Sequence, residues 1–313
     1  MYEIYIPRCE TVVGVVGVDV WIIVTLVAAG FQTARTALQH RLRALLSVSG
    51  AGFVRYLYGA PLSALAVLLA WSSGVEWPQI AARFWPTILG GGVAQILGTV
   101  CLIRAFDARD FAVGTVFAKT EVVQVALLSW VILGEPLRWG GWFGAAICMV
   151  GVALLATKGR RLSWAAVRQP AALYGLAAGG LFGLASIGIR GATKALDGGP
   201  IVMRAIVTLA VMNTMQTIVH GGYLVVRERD QLRLMLVHWR SSAVVGVLSV
   251  CGSAGWALAL ALENAAKVRT LGQVELLFTF AVSRWWLKDR HTRGELAASG
   301  LVTLGVVTVV LLG

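Results

Sequence analysis

The chain is poor in charge. Asp, Glu, Lys and Arg make up 13% of its 313 residues, about half the usual share in a soluble domain. So few charges leave too little polar surface to cover a water-soluble fold. Hydrophobic residues make up 58% and the mean hydropathy is +0.78. These values exclude an ordinary cytosolic enzyme, a disordered chain and a secreted disulfide scaffold. Cysteine is scarce as well. Cys9, Cys101, Cys148 and Cys251 lie far apart and form no CxxC pair, so neither a disulfide framework nor a zinc site follows. Their expected role is as small packing residues. The N-terminal stretch MYEIYIPRCETVVGVVGVD lacks a basic n-region, and Asp19 interrupts its apolar run. A cleaved signal peptide is not expected.

Catalytic motifs are missing too. There is no GxxxxGK[ST], no HExxH and no GxGD, and CGSAG at 251–255 is not GxSxG. His40, His220, His238 and His291 fall in loops or at the ends of apolar runs. No catalytic residue, metal ligand or cofactor is expected, and the chain reads as a non-enzyme.

What the sequence does have is long apolar runs. A helical span needs about 20 such residues, and ten candidates fit: 18–38, 52–71, 84–104, 110–133, 139–157, 171–193, 200–222, 241–262, 268–287 and 295–312. Trp21, Trp71, Trp85, Trp139 and Trp239 cluster near span ends, as in an interfacial aromatic belt. The expected fold class is an all-α integral membrane protein of ten transmembrane helices. The connections at 158–170 and 223–240 are too short for a soluble domain. Net charge is +12, from 27 Lys and Arg against 15 Asp and Glu. Most of it sits in short loops, which points to topology and anionic headgroups rather than a nucleic-acid partner.

The chain also repeats itself. A shift of 154 positions carries Gly92 onto Gly246, Gly98 onto Gly252 and Glu121 onto Glu275. The same shift carries Glu135 onto Asp289, Gly140 onto Gly294 and Gly151 onto Gly305. Nearby offsets align Arg35 with Arg190 and Arg55 with Arg204. The expected organisation is an N-terminal tail (1–17), a first five-helix repeat (18–157), a basic linker (158–170) and a second five-helix repeat (171–313). Five is odd, so the second copy would enter the membrane inverted. Inverted repeats let a central site open alternately to either side.

Two segments carry a resemblance. FAKTEVVQVALLSWVILGEPLRWGGWFGAAICMVGVALL (117–155) and VRTLGQVELLFTFAVSRWWLKDRHTRGELAASGLVTLGVV (268–307) both resemble the end of an EamA repeat. Each has a mid-helix glutamate, a GE or KD turn, then a glycine-spaced last helix. The resemblance is to the EamA-like family of the drug/metabolite transporter superfamily and runs from about residue 20 onward. It implies ten helices, a central cavity near the bilayer midplane, and export or exchange of small metabolites. It also implies both termini in the cytoplasm. The Lys and Arg count argues the opposite: fifteen lie after odd-numbered spans and six in the N-tail or after even-numbered spans.

A charge at the bilayer centre costs roughly 2.5–3.5 kcal/mol on insertion scales. Such residues persist when paired or facing a wet cavity. Glu121 and Glu275 fall mid-span, with Arg35 and Arg55 as expected partners of the first, and Arg190 and Arg204 of the second. Thr25, Gln32, Arg35 and Gln39 share one helical face, as do Ser186, Arg190 and Thr193. Glu121 with Gln124, Glu275 with Thr279, and Gln95 with Thr99 form further stripes. The substrate- or proton-binding candidates are therefore Glu121, Glu275, Arg35, Arg190, Arg55, Arg204, Gln32, Gln95, Gln124 and Ser186. Arginines suit a carboxylate, and glutamates an amine or a proton; the same pairs would also fix helix register. Lys119, two residues from Glu121, is expected to point elsewhere, and Arg284 to anchor at the interface. Tyr58 and Trp256 read as packing or interface residues able to flank a ligand, and Asn213 and Gln216 as weaker cavity candidates. Gly140 and Gly144, and Gly175, Gly179 and Gly183, have the spacing of close helix packing.

The function expected is a secondary transporter, an exporter or exchanger of small polar or charged metabolites such as amino acids or organic anions. The alternatives are a lipid-substrate flippase and a non-transporting membrane scaffold. Expected partners are a small metabolite, the bilayer, protons as a coupling ion and a second copy in a homodimer. The expected location is the plasma (inner) membrane of a bacterium.

Overall fold

The computed structural model describes residues 19–42, 45–107, 111–157, 168–285 and 292–313. The N-terminal segment with Cys9, most of the 158–170 linker, and the segment with Asp289 and His291 lie outside the described residues. The first half comprises α1 (Val20–Leu42), α2 (Val48–Ser72), α3 (Phe84–Asp107), α4 (Phe111–Lys119), α5 (Glu121–Leu133) and α6 (Trp139–Thr157). The second comprises α7 (Pro170–Lys194), α8 (Ile201–Arg227), α9 (Arg229–Val237), α10 (Trp239–Leu262), α11 (Ala265–Leu271), α12 (Val274–Trp285) and α13 (Arg293–Leu312).

Local chemistry sets several boundaries. The Ser47 hydroxyl caps α2 by accepting from the Gly50 amide at 3.0 Å. α5 stops at Gly134, whose φ of 66° suits a residue without a Cβ. Asn264 caps α11 through the Ala266 amide at 2.8 Å, and Thr292 with Glu295 forms a capping box on α13.

The apolar runs are membrane-spanning. Eight helical stretches among the described residues are long and apolar enough to cross a bilayer, against ten expected. The first expected span has a shorter apolar stretch, Val20–Thr36. The ninth is divided into α11 and α12, too short to cross singly. The fourth keeps an apolar stretch, Val116–Leu133, although Thr120 breaks it into α4 and α5. The 223–240 connection is not a plain loop either, because α9 fills half of it.

The outer surface is apolar, as lipid contact requires: Trp139 is 91% exposed and Val131 77%. Inside, α3 lies along α7, α1 along α10, α2 along α8, and α6 along α13. Small residues allow this approach. A Cβ on Gly188 of α7 would stand 2.5 Å from the Gly91 Cα of α3. A Cβ on Gly144 of α6 would stand 2.8 Å from the Gly305 carbonyl of α13. The GxxxG of α6 is thus spent on packing within the chain. At one end, β1 (Gln79–Ile80) and β2 (Leu196–Asp197) pair antiparallel, Gln79 opposite Asp197. This stitches the α2–α3 connection to the α7–α8 connection.

Candidate functional site

The two broken helices bring the intramembrane glutamates together. Glu121 is the first residue of α5, directly after the turn at Thr120. Glu275 is the second residue of α12, directly after the turn at Gly272 and Gln273. Each carboxylate therefore sits at the N-terminal end of a half-helix, where unpaired amides and the helix dipole favour negative charge. Each also meets a cation from the other broken helix. Lys119, the last residue of α4, places its Nζ 2.5 Å from Glu275 Oε1. Arg269 of α11 is ion-paired with Glu121. The cations and carboxylates are crossed between the two halves of the chain.

Further side chains complete the cluster. Gln32 of α1 donates from Nε2 to Glu275 Oε2 at 2.6 Å. Its Oε1 accepts from the Trp256 indole of α10 at 3.0 Å. The Arg269 guanidinium carbon lies 5.2 Å from the Trp256 ring centroid, a cation–π distance. Gly272 makes this arrangement possible, because a Cβ there would collide with the Trp256 ring. On the other break, Gln124 donates to the Thr120 hydroxyl at 2.7 Å and to the Leu176 carbonyl at 3.3 Å. Gly179 of α7 packs so closely that an added Cβ would stand 2.9 Å from both the Ala118 carbonyl and Gln124 Nε2. Both breaks are thus clamped by neighbours.

Of the expected residues, the fold gathers Glu121, Glu275 and Gln32 into this cluster and puts Gln124 on its flank. Among the described residues the ion pairs shown for the two glutamates are with Lys119 and Arg269 rather than with the expected arginines. Arg190 donates Nε to Glu135 Oε2 at 2.6 Å and Nη1 to the Leu260 carbonyl at 2.8 Å, and it also bonds the Glu263 carbonyl. Lys194 reaches Glu135 Oε1 at 2.6 Å, and Asn264 donates to the Glu135 carbonyl at 3.1 Å. Arg190 is therefore the centre of a lock that joins the α5–α6 turn to α7 and to the α10–α11 junction. Burial alone would raise the Glu135 carboxyl, but bonds and charge from Arg190 and Lys194 outweigh burial and hold it below the ordinary carboxylate value. Arg204 donates to the Leu196 carbonyl at 3.2 Å.

Ser186 spends its hydroxyl on the Phe182 carbonyl of its own helix at 3.0 Å. Gln95 accepts from Gln216 at 2.7 Å, and Asn213 donates to the Ser63 hydroxyl at 3.4 Å. These belong to the seams of α8 with α3 and α2. Tyr58 reaches the Trp239 carbonyl at 3.4 Å. The side chains of Gln39, Thr279 and Arg284 lie outside the described residues. Arg35 and Arg55 make no ion pair among the described residues; Arg55 stacks on the Tyr56 ring at 5.1 Å.

Two members of the cluster escape sequence reasoning. Lys119 is excluded only if the fourth span is one continuous helix, since residues two apart then diverge. The break at Thr120 cancels that geometry. Arg269 reads as a span-end residue until Gly272 is recognised as a second break. The signal for both is the same: a glycine or threonine turn beside an intramembrane glutamate. Among the described residues, no group of three or more His, Cys, Asp or Glu side chains could hold a metal ion.

Residues 19–157 match the EamA-like transporter family. Over that stretch, less than half of its length, the chain is similar to EamA-like transporters. No curated protein matches the sequence. A solved structure described only as the crystal structure of a protein superposes with a TM-score of 0.70 at 14% identity. The match covers 93% of this chain and 96% of that one, a likeness of fold over nearly the whole length.

Proposed function

We propose that the protein is a secondary transporter, an exporter or exchanger of small polar or charged metabolites, working by alternating access between two inverted five-helix repeats. The crossed pairs Lys119–Glu275 and Arg269–Glu121 carry this reading. Fixing helix register does not by itself call for charges at two helix breaks, whereas broken helices at the bilayer midplane are a recurrent way to build a transport site. The packing supports the inverted repeat. α3 lies along α7 as α1 lies along α10, while α2–α8 and α6–α13 pair equivalent helices. A rocking motion of one half against the other would separate the crossed pairs. Solute or protons would then compete with Lys119 and Arg269 for the carboxylates. The location that fits is the plasma membrane of a bacterium.

The test is uptake into proteoliposomes of purified protein, screening amino acids and organic anions with and without an imposed pH gradient. Saturable uptake that falls more than tenfold in Glu121→Gln and Glu275→Gln supports the reading. Uptake at the wild-type rate and with the wild-type pH response in both folded variants removes the glutamates from the mechanism.

A further inference from the structure

At the α1–α2 end of the molecule a second polar cluster lies beside the crossed pairs. Arg35 lies seven residues before the end of α1, and Arg55 lies seven residues after the start of α2. At 1.5 Å per residue both sit about 10 Å inside their helix ends. Tyr56, next to Arg55, is 2% exposed, and its hydroxyl has no hydrogen-bond partner among the described residues. Arg35 Nε is also buried without a partner. Arg35 lies within electrostatic reach of Arg55, Tyr56 and Glu275. Glu275 is the carboxylate acting on it, and that group is already engaged by Lys119 and Gln32.

Buried polar groups in a folded protein are normally satisfied. Here two buried groups able to donate, on α1 and on α2, whose ends share one apolar cluster around Leu42 and Val54, have no acceptor among the described residues. We infer that Arg35, Arg55 and Tyr56 form an oxyanion subsite, which takes the carboxylate or phosphate oxygens of the transported solute. Two guanidinium forks and a phenol can donate to an oxyanion from several directions, and a bound anion offsets their positive charge. The inference rests on the transport reading and narrows it to solutes that bear an anionic group. The crossed carboxylates a short distance deeper would face the remainder of that solute.

The test uses the full-length protein in lipid nanodiscs. Phenylglyoxal labelling of arginines is followed by peptide mass spectrometry in succinate, glutamate, inorganic phosphate or choline chloride at equal ionic strength. The expected result is adducts at Arg35 and Arg55 that form at least fivefold more slowly in one or more of the three anions than in choline chloride. Which anion protects separates a carboxylate from a phosphate site. Tyr56→Phe should weaken that protection while the exposed Arg83 labels at an unchanged rate. Equal labelling rates in all four solutions, or no labelling at either arginine, overturn the inference. Flux separates the two readings. Protection without flux of any solute keeps the subsite and removes transport. Flux that ignores these anions and survives Arg35→Gln keeps transport and removes the subsite.

Discussion

Arg190 and Arg204 in the second half match Arg35 and Arg55 in the first, yet the two pairs live in different chemistry. Arg190 is engaged by Glu135 and by two backbone carbonyls at the α10–α11 junction. Among the described residues Arg35 has a 3.5 Å contact with the Thr36 hydroxyl, and its Nε, like that of Arg204, is buried without a partner. One end of the molecule therefore holds a charge lock beside a short strand pair, and at the other end neither Arg35 nor Arg55 has an ion-pair partner among the described residues. The same residue types form an ion-pair lock around Arg190 in one half, and in the other we propose that they bind an anion. A repeat written in sequence fixes position, not occupation.

The largest effect that would break this comparison is loss of the lock. Glu135→Ala strands the Arg190 guanidinium, which is 11% exposed, and should cost roughly 3 kcal/mol. Thermal unfolding in detergent reads it, and an unchanged Tm would show that the lock holds nothing. A smaller effect separates the matching helix contacts. Gly188→Ala drives a methyl into the α3 backbone at Gly91 and should cost about 1–3 kcal/mol. Gly252→Ala meets Phe31 at an ordinary 3.5 Å, and the gain in helix propensity makes it neutral or slightly stabilising. The same unfolding assay on both variants checks the contrast.

The pH response sharpens the comparison further. The Glu135 carboxyl is lowered in the folded protein, so its stabilising contribution is complete above the unfolded value of about 4.3. It is lost as pH falls through the folded value. Tm should therefore drop on acidification below about pH 4, and Glu135→Gln should flatten that drop. Equal slopes in the two proteins would place the acid sensitivity elsewhere. The smallest stability effect is expected at Arg35→Gln, which removes a charge that has no ion-pair partner among the described residues. Tm should stay level or rise, while a loss comparable to that of Glu135→Ala would mean that Arg35 is as structural as Arg190.

Much of the fold is legible in the sequence, because a bilayer imposes long apolar helices and the runs ending at Trp71, Thr157 and Leu262 declare themselves. Discontinuity is harder to read. α4 and α5 share one apolar run, so Thr120 leaves no trace in hydropathy. The helical-face rule therefore discards Lys119. α9 hides in a connection whose arginines mark it as polar, although Met235 is buried and Leu236 and Val237 are exposed apolar residues. At the site, Glu121, Glu275 and Gln32 are readable as intramembrane polar residues with helical spacing. Their partners are not, since pairing across 150 residues depends on how the halves dock. Glu135 illustrates the same limit: its match with Asp289 is visible in sequence, while its bond to Arg190 exists only in three dimensions.

The central claim is that the crossed charges form one functional unit across the two halves. The most direct measurement is a charge swap read by uptake of whichever solute the proteoliposome screen identifies. Lys119→Glu and Glu275→Lys should each lower the rate more than tenfold, and the double variant should recover a large part of it. Single variants that transport normally, or a double variant that merely sums two losses, would contradict a pair acting as one.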